Sequence, residues 1–503
     1  MKATQREILK RVSIDETQFN ADLRQIVEES LKRRNVDNAD VYNLIALHLN
    51  CNGGKATEVD DLYDLCRLVY VEWFTRQTAK AEQDCTPQQW QAIQILKAKY
   101  PAHRMSAEEC YKFIACTYRA EFADSGLSCP AKFQQKPIEG NDNGVVNSNG
   151  QIEYRDFLHI FPRGRAGDES CRLYLNLKPG NAIIFEKLLY EAVQPEVQLY
   201  TKVNVSAAGC GNRSDNVLVY CSYDDAAYII EQINFIRKNN PELFEDCEKL
   251  NPFLGKIDGY IGVGEEPTVK DPKDPKHNFS FTQARACAIT EYINESKAKL
   301  YRKIGDSARN ETKTSVGGTI SYRDTLIQRY IAAFKVEIEQ KIADAANGKV
   351  PPQYEGKGAK AIQIYKDYLQ FVKGQLDKCN EKGGCYTQIE AMVDEDIEQL
   401  KKGKCPTVHS RRLTFQTQSE EKAMALRGHK LHGKEGVYEM PIDFYSLKLD
   451  EMLDEDFKLK DMIRDNADMA HLAPYLARYN VSARQPHLNL TTAKELKTES
   501  ESE

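Results

Sequence analysis

Apolar and polar positions change period along the chain, and the changes mark out its elements. In "RLYLNLK", Leu173, Leu175 and Leu177 fall on one side of an extended strand, with Arg172, Tyr174, Asn176 and Lys178 on the other. "VQLYTKVNV" alternates in the same way, setting Val197, Thr201, Val203 and Val205 against Tyr200, Lys202 and Asn204. "NVLVYCSY" supplies a third strand, while "AIIFEKLLYEAV" and "DDAAYIIEQINFIRK" carry the helical period. Strands and helices in mixed order predict an α+β fold with a central, mostly antiparallel sheet.

The flanks read as helical. Leu62, Leu65, Cys66, Val69 and Trp73 form one apolar stripe, and Trp73 and Trp90 read as core residues. Further on, Ile327, Tyr330, Ile331, Phe334 and Ile338 make a second stripe, and Tyr365, Tyr368, Leu369, Val372 and Leu376 a third. These patterns divide the chain into a helical region 1–136, a Gly/Asn-rich linker 137–150, an α+β core 151–300, a helical region 301–400 and a mixed region 401–503 ending in a polar tail.

Composition narrows the function. Hydrophobic residues make up 41% and charged residues 29% of 503, ordinary for a globular chain, and the net charge of −6 leaves no basic excess for general nucleic-acid binding. No apolar run approaches the roughly 18 residues a membrane span needs. The 14 cysteines are scattered without a CxxC pair, so no zinc ribbon is expected and reduced, mostly buried thiols are. His429 and His432 lie between glycines and lack a third ligand, so no metal is expected there.

Three groups carry candidate chemistry. The polar side of the sheet offers Arg172, Lys178 and Lys202, joined by Arg213 and Asp215 from the connection before the next strand. Arg grips a phosphate bidentately, whereas Lys serves as a point charge or proton carrier. The alternative reading is a solvated sheet face. "GYIGVGEEP" has glycines at 259, 262 and 264 but matches neither the dinucleotide fingerprint nor the P-loop. In "NFSFTQAR", Asn278 or Ser280 is placed to cap a helix, with Arg285 in its first two turns. His159 and His277 are acids available near neutral pH.

Taken in order, "RLYLNL", the strand ending at Lys202, "NRSDNVLVY", "GVGEEP" and "SFTQARACAI" resemble the HopA family, type III secretion effectors of plant-pathogenic bacteria with homologues elsewhere. Ser280, Phe281 and Arg285 match the last motif, with Cys287 displaced by one residue, and "VYVEWF" resembles the family's aromatic helix. The resemblance spans about residues 60–300 and is strongest from 170 to 295. Family homologues act as lyases in class V lanthipeptide and thioamitide pathways. The resemblance therefore implies β-elimination of phosphate from a phosphothreonine or phosphoserine side chain, without a cofactor. Arg172, Arg213 and Arg285 would hold the phosphate, with Asn176 and Lys178 as further substrate contacts and Asp215 holding Arg213 in place. Lys202 would remove the α-proton, a step that requires its neutral form. Tyr220, His159 or His277 would serve as the acid. The expected partners are a phosphorylated peptide or protein substrate and a host protein. The expected route is from the bacterial cytoplasm to a host cell. Two other functions fit the sequence: a non-catalytic effector or scaffold that binds a partner protein, and an ADP-ribosyltransferase built on Arg172, Ser206, Glu265 and Glu266.

Overall fold

The computed structural model describes residues 12–48, the short stretches 144–146, 152–154 and 157–160, and residues 171–204 and 214–481, apart from a few positions within them. The stripe from Leu62 to Trp73, Trp90, Lys178, Arg213 and Ser206 lie outside the described residues. The fold is α+β, and the chain forms two compact units. The first comprises Met1–Tyr292 and Arg464–Glu503, the second Ile293–Ile463. The sequence reading set the core's end at 300 and treated 401–503 as one region. In the structure the chain leaves the first unit at 293 and re-enters it at 464.

The first unit is built on a six-stranded sheet. Helices α1 (Glu16–Leu31) and α2 (Asn38–His48) precede a strand pair, β1 (Gly144–Val146) and β2 (Ile152–Tyr154). Strand β1 falls inside the stretch 137–150 that the sequence marks as linker. Then follow β3 (Phe157–Ile160), β4 (Cys171–Leu175), helix α3 (Pro179–Ala192), β5 (Tyr200–Asn204), β6 (Val217–Cys221), helix α4 (Tyr223–Asn239), β7 (Gly255–Ile257) and β8 (Ile261–Glu265). The spatial order is β3-β5-β6-β4-β8-β7, and every neighbouring pair is antiparallel.

Alternation decides which face is buried. Leu173, Leu175, Val217, Val219, Ile261 and Val263 project together onto Phe185 and Leu189 of α3 and Ile229, Ile230 and Ile233 of α4. Side chains of this size contribute about 1.5–3 kcal/mol each when fully buried. Strand β5 starts at Tyr200 rather than Val197, because the Val197 N–H closes a turn on the Gln194 carbonyl at 3.0 Å. Asp258 and Gly259, both at positive φ (54° and 82°), turn β7 tightly into β8.

After β8 the chain makes a small ribbon, β9 (Lys270–Asp271) and β10 (Asp274–Asn278), and enters α5 (Phe281–Ser307). Ser280 and Gln283 form a reciprocal cap. The Gln283 N–H donates to Ser280 Oγ at 3.2 Å, and the Ser280 N–H donates to Gln283 Oε1 at 2.7 Å. The cap fixes where the helix begins and hence where Arg285 points.

The second unit packs α6 (Tyr322–Ala346), α7 (Ala359–Asp377) and α8 (Tyr386–Lys401) with a three-stranded sheet of β13 (Arg411–Thr417), β14 (His429–Lys430) and β15 (Tyr438–Phe444); β11 (Glu311–Lys313) and β12 (Thr319–Ser321) form a separate hairpin. The stripes Ile327–Ile338 and Tyr365–Leu376 supply its core, as their spacing predicts. Helices α9 (Glu420–Ala425), α10 (Leu449–Phe457) and α11 (Leu459–Asp465) follow, and α12 (Met469–Ala477) belongs to the first unit. There the Met469 N–H donates to Asn20 Oδ1 of α1 at 2.8 Å, and the rings of Tyr475 and Tyr479 meet Tyr292 and Phe279 edge-on.

Candidate functional site

The sheet face opposite the α3/α4 core carries polar and aromatic side chains in two cross-strand rows. In one row Tyr200, Tyr220, Arg172 and Gly264 stand side by side on β5, β6, β4 and β8. In the next, His159 on β3 pairs with Lys202, followed by Leu218, Tyr174, Gly262 and Lys256. Sheet pleating puts alternate residues of each strand on this face, so the register alone gathers chemistry from segments far apart in sequence.

Tyr220 is the hub. Its ring stacks on that of Tyr200, with centroids 4.7 Å apart and planes 23° from parallel. Lys202 Nζ lies 4.9 Å from the Tyr220 ring centre and 5.5 Å from that of Tyr200. From β4, Arg172 Cζ lies 4.8 Å from the same Tyr220 centre. One tyrosine therefore touches the lysine and the arginine together, through the attraction of cations to π faces. Among the described residues Lys202 has no carboxylate partner, and its side chain is half-buried.

The arginines are differently placed. Arg172, 8% exposed, donates from Nε and Nη2 to the two carboxylate oxygens of Glu266, a bidentate pair. Burial opposes its charge, but Tyr220, Tyr174 and Glu266 outweigh burial and hold the guanidinium firmly protonated. Arg285 is 2% exposed, and its Cζ sits 3.2 Å from the Phe281 ring centre. Its Nη2 lies 3.7 Å from Oε1 of Glu265, itself 2% exposed. Burial pushes the Arg285 guanidinium down to about 10, with Arg172 pushing the same way and Glu265 and Tyr174 opposing. The two arginines thus share one electrostatic neighbourhood.

Tyr174 closes that neighbourhood. Its ring packs against Phe281 at 5.7 Å, and its buried hydroxyl makes no well-formed hydrogen bond among the described residues. Burial raises its pKa, against the pull of Arg172. Both aromatic rings depend on the glycines of β8. A Cβ on Gly264 would lie 2.9 Å from the Phe281 ring and 3.1 Å from Tyr174 Cε2, and one on Gly262 2.8 Å from Leu254 Cδ1. The glycines of "GYIGVGEEP" therefore serve close packing and one tight turn.

The remaining candidates fall elsewhere. Asn176 donates from Nδ2 to the Lys249 carbonyl at 2.7 Å, a tie between β4 and a loop. Asp215 is buried beside Asn216, whose side chain bridges the Leu177 backbone by accepting from its N–H at 2.9 Å and donating to its carbonyl. His159 faces Lys202 by backbone register, whereas His277 lies on β10, outside the six-stranded sheet. The sequence pattern sets Tyr174 and Tyr200 on the same side of the sheet as Arg172 and Lys202, but does not single out Glu266 as the partner of Arg172. The only local signal was the acidic pair in "GEEP".

A buried acid sits behind the sheet. Thr201, on the core face of β5, donates from Oγ1 to Glu186 Oε2 of α3 at 2.7 Å, with the Tyr190 hydroxyl 3.2 Å from the same Thr oxygen. Glu186 is 1% exposed, and burial pushes its carboxyl up to about 8, partly offset by the Thr201 bond. A carboxyl raised in the folded state binds its proton more tightly there than in the unfolded chain. Its stabilising contribution is therefore complete below the ordinary Glu range and lost as pH rises toward 8. Thermal melts should show stability declining from pH 5 to pH 8, and Glu186→Gln should flatten that decline. An unchanged slope in the variant would assign the dependence to other groups.

No protein-family model and no curated protein matches the chain. Among solved structures it is similar to the effector protein from Pseudomonas syringae pv. tomato strain DC3000, at 12% identity over 55% of this chain and 86% of that one, with a TM-score of 0.31. It is also similar to the effector protein from Pseudomonas syringae pv. syringae strain 61, at 13% identity over 59% and 95% of the two chains, again with a TM-score of 0.31. Similarity at this level does not establish a shared fold, and no family model ties the chain to the HopA family. No helix among the described residues is long and apolar enough to cross a membrane.

Proposed function

We propose that the polar sheet face is the active site of a carbon–oxygen lyase that eliminates phosphate from a phosphorylated serine or threonine side chain. The observation that carries this reading is the meeting of Lys202 and Arg172 on the one ring of Tyr220. It sets a lysine that has no carboxylate partner among the described residues beside a fork-shaped anion binder.

In this scheme the phosphate takes the place of Glu266 on the Nε/Nη2 edge of Arg172, and the buried Arg285 adds positive field. Neutral Lys202 takes the α-proton. The C–H electrons become the new Cα=Cβ bond, and the Cβ–O bond breaks with its electrons leaving on phosphate. The Tyr220 hydroxyl, or His159 across the β3–β5 register, donates a proton to the departing oxygen. The products are a dehydroamino acid and inorganic phosphate. Arg213 is a further candidate phosphate ligand from the connection between β5 and β6. Delivery of the chain to a host cell as an effector belongs to the same proposal and rests on the sequence resemblance.

Incubation with a phosphothreonine peptide tests the chemistry by mass spectrometry. Elimination removes phosphoric acid and leaves dehydrobutyrine, whereas hydrolysis restores threonine. A restored threonine, or no change across a panel of phosphopeptides, overturns the lyase reading. The second reading is a non-catalytic module that binds a partner protein. It draws on one observation: both buried arginines already face carboxylates, Arg172 on Glu266 and Arg285 near Glu265.

A further inference from the structure

The second unit brings two thiols into contact in the turn between α7 and α8. Cys379 lies in the 3₁₀ turn Lys378–Glu381, and Cys385 occupies the cap position before α8. Their Sγ atoms are 3.5 Å apart, and each residue is 1% exposed within the unit's core. Cys379 Sγ also lies 3.4 Å from the Gln375 carbonyl oxygen.

The backbone sets this approach. The Lys382 N–H donates to the Cys379 carbonyl and the Gly383 N–H to the Lys378 carbonyl, both at 3.0 Å. Lys382 and Gly384 take positive φ values of 57° and 61°. A Cβ on Gly384 would collide with the Gln375 carbonyl oxygen, so only glycine lets the loop press this closely on α7. The segment "CNEKGGC" is thus folded back on itself by main-chain bonds, with its end sulfurs facing across the gap. Bond formation needs the sulfurs to close by about 1.5 Å, a movement within reach of side-chain rotation.

We propose that Cys379 and Cys385 are a redox modification site that closes reversibly into a disulfide stapling the α7–α8 turn. The oxidant is a peroxide, small enough to reach buried sulfur. The Cys379 thiolate attacks one peroxide oxygen, the O–O bond breaks, and a sulfenic acid and water form. The Cys385 thiol then attacks the Cys379 sulfur, the S–O bond breaks, and a second water leaves. In sum, two thiols and one hydrogen peroxide give one disulfide and two waters. The geometry also favours the first step. The Cys385 hydrogen bond pulls the Cys379 thiol below the ordinary range against the effect of burial, while Cys385 moves upward.

The test uses the full chain, treated with limiting hydrogen peroxide, then alkylated and digested with trypsin without reductant. Cleavage after Lys378 and Lys382 separates the two cysteines, so the disulfide appears as a linked peptide pair that dithiothreitol splits. The oxidised chain should melt higher by roughly 5 °C than the reduced one. Cys379→Ser and Cys385→Ser should each abolish both the linkage and the shift. Both cysteines recovered as alkylated thiols after peroxide, or linked instead to other cysteines, would overturn the proposal. So would an equal melting shift in the serine variants. If a serine variant fails to fold, the peptide map of the unaltered chain still decides.

Discussion

Lys202→Met should lower the rate of phosphate elimination by about 10³-fold, the scale of a lost general base. Its melting temperature should stay within about 2 °C of the parent, because the side chain is half-buried and its described contacts are the faces of two tyrosine rings. Methionine keeps the length and apolar stem, so the packing on Tyr200 and Tyr220 survives while the proton acceptor is gone. The measurement is the appearance of dehydrobutyrine under single-turnover conditions, beside a melt of the same preparation. Full activity in the variant would remove Lys202 from the chemistry. An unfolded variant would show that the lysine's work is structural and would end the assignment of this face as an active site.

Breaking the buried pair beside that face should have the largest effect on stability. Glu265→Gln leaves Arg285, with a side chain 3% exposed, without its carboxylate, and such a loss costs about 3–5 kcal/mol. Replacing both partners, Glu265→Leu with Arg285→Met, removes the buried charges together and should recover most of that loss. Urea titrations of Glu265→Leu alone, Arg285→Met alone and the double variant complete the cycle. Equal losses that simply add would show that the two side chains do not interact, and would detach Arg285 from the site.

The sheet was legible because its signal is local. Leu173 and Leu175 alternate with Arg172 and Tyr174, and a pleated strand can honour that pattern in only one way. The helix start was legible to within two residues, at Asn278 or Ser280, because capping is a local signal. The pairing of Arg172 with Glu266 was not. It depends on β4 lying between β6 and β8, a choice of neighbours that no short pattern encodes. Gly262 and Gly264 show the same limit. Their motif matches no ligand-binding fingerprint, and their need for hydrogen in place of a side chain comes from Leu254, Tyr174 and Phe281, residues outside that motif. Asn176 shares a strand face with Arg172 in sequence, but it follows the last residue of β4 and turns to the Lys249 carbonyl instead.

The division of the first unit between the two ends of the chain has a consequence during translation. Residues up to Tyr292 leave the ribosome well before α12, and everything from Ile293 to Ile463 must be made in between. Throughout that interval Tyr292 and Phe279 wait without Tyr475 and Tyr479, and Asn20 without the Met469 amide. A premature stop codon just after position 463 would therefore yield a nascent product whose earlier-made half never receives its closing helix, leaving apolar rings bare for chaperones and proteases to find.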